Sequence, residues 1–153
     1  MQIQILQIAA TKDKNLLALE QIYEKRISPF AKLQSTTLKA SKSDDPKRAQ
    51  QEELEQFQAK LNSEATIIAL DETGKPATSE EFAKILQKIK DHGPGKVQFL
   101  IGGSNGLHPD IRKQAHQILS LSKMTFTHEM VRVFLKEQLY RAFTIIANKR
   151  YHK

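Results

Sequence analysis

Apolar positions along this chain switch repeatedly between the spacing of strands and the spacing of helices. Ile3, Ile5 and Ile8 lie in a short apolar opening that reads as a strand. From about Asp13, the residues Leu16, Leu19, Tyr23, Ile27 and Phe30 recur every three or four positions, as along one face of a helix. Lys32 to Lys39 is strand-like but weakly apolar, in the manner of an edge strand. After the polar loop Ser41 to Asp45, Asp45 can cap a helix that has Pro46 at its first position. The apolar stripe of that helix, Leu54, Phe57 and Leu61, is thin and ringed by charge, which predicts a solvated outer helix. Thr66 to Leu70 is a third strand, ended by a turn over Asp71 to Pro76. Thr78 and Glu81 form a capping box for a helix with Phe82, Ile85, Leu86 and Ile89 inward, stopped by H-G-P-G at His92 to Gly95. Val97 to Ile101 is a buried strand that breaks at Gly102 and Gly103, with Gly106 just beyond. Pro109 then opens a helix to about Leu119, carrying Ile111, Ala115, Ile118 and Leu119 inward. This order, βαβαβαβα, implies a parallel sheet covered by helices on both faces.

The last third is different. Ser120 to Phe126 alternates bulky residues (Leu121, Met124, Phe126) and suits either a last strand or an extended loop. From about Glu129 to Ala147 a helix carries the stripe Val131, Leu135, Leu139, Ala142 and Ile146, widened by Met130, Phe134, Phe143 and Ile145. That exceeds the ~100° apolar face of an ordinary surface helix. A second subunit, with two-fold symmetry as the default, would cover the excess. Arg132, Glu137, Gln138 and Arg141 are set into this helix, with His128 at its entrance. An Arg–Glu pair or a capping histidine would account for them structurally.

Composition narrows the field. The 153 residues suit one domain, with no linker and no internal repeat. There is no cysteine, hence no disulfide, thiolate zinc site or cysteine nucleophile. Absence of cysteine fits a reducing, cytoplasmic setting. No apolar run approaches the ~18 residues of a membrane span, and the N-terminus lacks the basic region of a signal peptide. The net charge of +7 favours anionic partners. The ending N-K-R-Y-H-K, Asn148 to Lys153, sets a tyrosine and a histidine among cations, a mixture suited to RNA through phosphate attraction and base stacking.

The glycine loop after Val97–Ile101 sits where open α/β sheets bind small molecules. It matches no general nucleotide motif. With Gly103 and Gly106 as the last two glycines of G-x-G-x-x-G, the first would fall on Ile101, and G-K-[ST] occurs nowhere. From spacing alone the loop is equally a tight strand-to-helix turn.

Longer motifs are more informative. F-L-I-G-G-S-N-G-L, L-S-L-S-K-M-T-F-T-H-E-M-V-R-V-F-L-K-E-Q-L-Y-R-A, the turn L-D-E-T-G-K-P and the ending Y-H-K together resemble the bacterial large-subunit ribosomal RNA methyltransferase H family, from Met1 to Lys153. The resemblance implies a SPOUT-class α/β fold with a C-terminal trefoil knot, a homodimer, and S-adenosylmethionine bound in the knot. It further implies methylation of N3 of a pseudouridine in large-subunit rRNA on the assembled ribosome, with no metal and no membrane. Carried over by motif, the cofactor pocket comprises Leu70, Gly102, Gly103 and the run Leu121, Ser122, Lys123, Met124, Thr125 and Phe126. Leu70, Leu121, Met124 and Phe126 would wall the adenine, and backbone groups would read its edge. Candidates for proton removal are His128 and His152, with Tyr151 or Arg141 holding the base or its phosphates. Candidates for RNA contact are Arg132, Lys149, Arg150 and Lys153. Two departures from the commonest family pattern stand out: G-G-S-N-G for G-G-P-E-G, and Thr127 for the proline before His128. Competing readings are a SPOUT enzyme acting on another RNA such as tRNA, a ribosome-binding protein without catalysis, and a flavodoxin-like nucleotide binder.

Overall fold

A computed structural model describes residues 1–151, so His152 and Lys153, candidates for base and RNA contact, lie outside the described residues. Five parallel strands form one sheet in the order β2-β1-β4-β3-β5: β1 (Gln2–Ile8), β2 (Lys32–Leu38), β3 (Thr66–Pro76), β4 (Lys96–Ile101) and β5 (Gln117–Ser120). Its helices are α1 (Lys14–Ile27), α2 (Pro46–Gln58), α3 (Ser79–His92), α4 (Pro109–Gln114) and α5 (His128–Ile146). Strand alternation divides the core. Ile3, Ile5, Ile68, Phe99 and Ile101 point to the side packed by α1, α3 and α5, and Leu6, Ile8, Ala69 and Leu100 to the side of α2 and α4. The parallel sheet with helices on both faces is therefore as the pattern predicts, with the weakly apolar Lys32–Leu38 at an edge.

Local signals set most boundaries. Asp13 caps α1, accepting from the amides of Asn15 and Leu16, and Asp45 caps α2 ahead of Pro46. Thr78 and Glu81 close the capping box at α3. Thr127 caps α5 by accepting from the Met130 amide.

Two expectations are corrected. The helix opened by Pro109 ends at Gln114, and Ile118 and Leu119 belong to β5. Here a strand's need to complete the sheet overrides a short helical spacing. His116 joins the sheet before the strand proper: its amide donates to the Ile67 carbonyl, and its Nδ1 accepts from the Ile67 amide at 3.0 Å. Asp71–Pro76 is likewise not a turn that ends a strand. β3 runs through to Pro76, with Leu70 and Lys75 both opposite Leu119 and the residues between them bulged out of the ladder.

The broad apolar surface of α5 is partly consumed inside the subunit. Leu135, Leu139, Ala142 and Phe143 are buried against α1 and α3, while Met130, Phe134, Ile145 and Ile146 remain half-buried. Toward α1 the same helix buries cations. Lys136 Nζ lies 2.5 Å from Glu20 and 2.7 Å from Glu24, and the Glu20–Lys136 pair is almost fully enclosed.

Candidate active site

The bulged stretch of β3 and the carboxyl end of β4 meet the loop before α5 around a cavity of about 830 Å3. Its walls include Leu70, Ile101, Gly102, Gly103, Leu121, Met124 and Phe126. Three segments that are distant in sequence thus converge: the middle of β3, the glycine loop and the bulky run after β5. Of the residues expected around a cofactor, Lys123 alone does not line the cavity. Met124 is 73% exposed and Phe126 packs edge-on against Phe134 at 4.9 Å, so the loop presents apolar surface to the cavity mouth.

Backbone contacts dictate the glycines. A Cβ on Gly102 would fall 2.7 Å from the Gly106 carbonyl carbon and 2.9 Å from the Leu107 nitrogen. The loop folds back on itself there, with the Gly106 amide donating to the Gly103 carbonyl at 3.0 Å. Gly106 completes the turn at φ +71°, in the left-handed region. Behind Gly103 lies the Glu53 carboxylate, on which burial raises the pKa.

Hydrogen bonds hold the bulky run in place. The Ser120 hydroxyl donates to the Ser122 carbonyl, the Met124 amide to Ser122 Oγ, and the Thr125 hydroxyl to Glu72 at 2.5 Å. The rim also carries groups that pattern reasoning missed. Arg112 reaches Thr73 at 2.9 Å and Asp71 at 3.5 Å, and Gln50 donates to the Asn105 carbonyl at 2.6 Å. The bulge in β3 brings Asp71, Glu72 and Thr73 to the cavity, and L-D-E-T-G-K-P was the only sequence signal for them.

His128 also lines the cavity, at the first residue of α5. Burial lowers its pKa, the Arg132 and Lys12 cations add to the effect, and Glu129 opposes it. The imidazole is thereby favoured neutral, with a lone pair available at neutral pH. Next to it, Glu129 accepts from the amides of Lys12 and Asp13 and ties the β1–α1 loop to the start of α5.

Other candidates lie elsewhere. Arg132, expected to contact RNA, is fully buried, donating to the Ile8 carbonyl at 2.6 Å and the Thr11 hydroxyl at 2.8 Å. From there it anchors the end of β1 and presents nothing to solvent. Arg141 and Tyr151 sit well down α5: Arg141 pairs with Glu137 at 2.6 Å, and its guanidinium lies 4.9 Å from the centre of the Tyr151 ring. Burial and its hydroxyl neighbour Tyr23 push Tyr151 up to about 12, so it keeps its proton, which it donates to Glu137 at 3.3 Å. Lys149 and Arg150 are exposed. Neither Arg141 nor Tyr151 borders the cavity. Arg141 lies thirteen positions after His128 on this helix, a span of about 20 Å at 1.5 Å per residue.

Among the described residues no group of three or more histidines and carboxylates is arranged to hold a metal ion, and no helix is long and apolar enough to cross a membrane.

A parallel sheet whose strand ends, a glycine loop and a bulky loop enclose one cavity defines a small-molecule-binding α/β protein, and comparison with known proteins says which. The family model described as "Predicted SPOUT methyltransferase" matches residues 1–152. The chain is 39% identical to the ribosomal RNA large subunit methyltransferase H of Exiguobacterium sp. over 159 aligned positions, covering all of both chains. It is likewise 39% identical to the protein of that name from Christiangramia forsetii, over 99% of each. In fold it is similar to a probable methyltransferase from Bordetella pertussis, with TM-score 0.54, 11% identity, and coverage of 92% of this chain and 95% of that one. The chain belongs to the SPOUT methyltransferase family, alongside the ribosomal RNA large subunit methyltransferase H proteins.

Proposed function

We propose that this protein is an S-adenosylmethionine-dependent methyltransferase that acts on N3 of a pseudouridine in large-subunit rRNA, on the assembled ribosome in the cytoplasm. One observation carries the reading: Leu70, Gly102–Gly103 and the run from Leu121 to Phe126, Lys123 excepted, border a single cavity. Its volume lies within the ~300–1,000 Å3 of small-molecule sites. Apolar walls suit an adenine ring, and the charged rim of Asp71, Glu72 and Arg112 suits a tail bearing both an ammonium and a carboxylate. Once bound, adenosylmethionine supplies an electrophilic methyl group. The protein's own work is to hold that group in line with the target nitrogen and to remove the N3 proton. His128, half-buried at the cavity with its neutral form favoured, is the base in this reading.

The reading includes a homodimer. Met130, Phe134 and Ile145 are half-buried apolar groups left over after α5 packs on α1 and α3. Because Arg141 is about 20 Å from His128 along α5 and Tyr151 packs against Arg141 beyond the end of that helix, they join His128 only if they come from the other subunit. The trefoil knot belongs to the same reading, supported by the meeting of the glycine loop with the loop before α5.

The test is transfer of labelled methyl groups to intact ribosomes and to separated subunits, followed by mapping of the modified nucleotide. Label at a large-subunit pseudouridine is the expected result. Label in tRNA alone would keep the enzyme and change its target. Ribosome binding without transfer, and without adenosylmethionine binding, would leave a binding protein.

A further inference from the structure

All four cation–π contacts among the described residues fall in one place, where the C-terminal ends of α1 and α5 meet. Arg26 lies over the rings of Tyr23 and Tyr140 at 5.4 and 5.8 Å, Lys149 over Phe30 at 4.8 Å, and Arg141 over Tyr151 at 4.9 Å. The rings also contact one another, with Tyr23 and Tyr140 at 6.4 Å and Tyr140 and Tyr151 at 4.7 Å. Backbone geometry fixes the arrangement. Asn148 turns the chain at φ +50°, its amide donating to the Ile145 carbonyl and the Lys149 amide to the Thr144 carbonyl. This double closure of a helix end directs Lys149 back across Phe30.

The charge of the patch is one-sided. Its carboxylates are engaged internally, Glu24 by Lys136 and Glu137 by Arg141. Arg26 and Lys149 are exposed, and Tyr23 is half-exposed between them and the core. Exposed cations beside partly exposed aromatic rings match a flexible polyanion that carries planar rings. A duplex would hide those rings in its stack, whereas an unpaired strand offers both phosphate and base.

We propose that the surface formed by Tyr23, Arg26, Tyr140 and Lys149 grips a single-stranded RNA segment flanking the methylated nucleotide, its phosphates on the two cations and a base against Tyr23. The proposal rests on the rRNA reading above and says which part of the molecule, outside the cavity, bears the RNA. It adds residues of α1 that no motif marked.

The experiment measures retention of intact ribosomes by the full-length protein across a series of potassium chloride concentrations, for the unsubstituted chain and for Arg26→Gln, Lys149→Gln and the double variant. Each lost phosphate contact should flatten the log–log salt slope by about 0.7 to 0.9. The double variant should bind about tenfold or more weaker at moderate salt, with adenosylmethionine affinity and the mass of the assembled protein in solution unchanged. Tyr23→Ala should weaken binding about fivefold or more without flattening the slope. Unchanged affinity and slope in variants of a protein that methylates ribosomes would overturn the surface and leave the enzyme standing. Conversion of the double variant to monomers would overturn it as well, by making the patch a subunit contact. An unsubstituted protein that binds ribosomes with these slopes yet transfers no methyl group would support the surface and remove the enzymatic reading.

Discussion

Replacing Gly102 by alanine tests the cavity most directly. The added Cβ would sit 2.7 Å from the Gly106 carbonyl carbon and 3.0 Å from its oxygen, roughly 0.7 Å inside ordinary carbon–carbon contact. Both neighbours are backbone, so no side chain can swing away. Relief requires opening the turn closed by the Gly106–Gly103 hydrogen bond. Overpacking of this kind costs about 1–3 kcal/mol. If the turn opens in the free protein, a ligand seated against it must close it again, and affinity falls by the same free energy, about 5- to 150-fold. Gly95→Ala provides the contrast. Gly95, unlike Gly102, is left-handed, at φ +66°, but nothing beyond its chain neighbours lies within 4 Å of its Cβ, and it precedes β4 at the opposite end of the sheet. It should lose about 1 kcal/mol of stability and no affinity. Calorimetric titration with adenosylmethionine, beside urea unfolding of each variant, measures both quantities. Equal affinity for Gly102→Ala and the unsubstituted protein would refute the argument that this turn forms a wall of the binding site.

Two further outcomes follow from the charges around α5. Lys136→Met should strand the enclosed Glu20 carboxylate and cost about 3–5 kcal/mol, lowering the melting temperature by about 6–20 °C in a chain of this size. Adding Glu20→Gln should recover much of the loss, and calorimetric melting that shows no recovery would contradict a direct pairing. For His128, the folded protein disfavours the charged form, so the unfolded chain binds more protons near its ordinary pKa of about 6.5. The stabilising contribution of the neutral imidazole is therefore complete above that value and declines as pH falls below it. The NMR titration midpoint of His128 should lie under 6.5, and the single-turnover rate should be half-maximal at that midpoint and level off above it. A midpoint at or above the ordinary value would remove the electrostatic case for His128 as base.

The parts of the fold readable from sequence are those governed by local chemistry. Asp45–Pro46 and the Thr78–Glu81 box mark helix starts because capping involves residues two or three apart. The strand assignments for Ile3–Ile8 and Val97–Ile101 hold because burial on both faces leaves a nearly continuous apolar run. What failed depends on distant partners. Ile118 and Leu119 have a helical spacing, yet they pair with Ala69 and Leu70, which lie about fifty positions earlier. Arg132 and Lys136 resemble solvent-facing cations until the end of β1 and α1 are placed beside them, with Ile8 and Thr11 at Arg132 and Glu20 at Lys136. The site divides the same way. Leu70, the glycines and the bulky run were reached through motifs, whereas Asp71, Glu72, Thr73 and Arg112 depend on a bulge that no periodicity encodes.

That bulge separates two design problems. Leu70 and Lys75 face the same residue across the sheet, so the ladder resumes where it left off whatever occupies the intervening loop. Asp71, Glu72 and Thr73 thus turn away from the ladder, where they hold one another, Arg112 and Thr125, without interrupting the pairing of β3 and β5. Gly74 closes the detour, since a Cβ there would lie 2.8 Å from the Ile118 and Leu119 backbone. The rim of the cavity is thereby built as a self-braced excursion, its bonds separate from those that register the sheet.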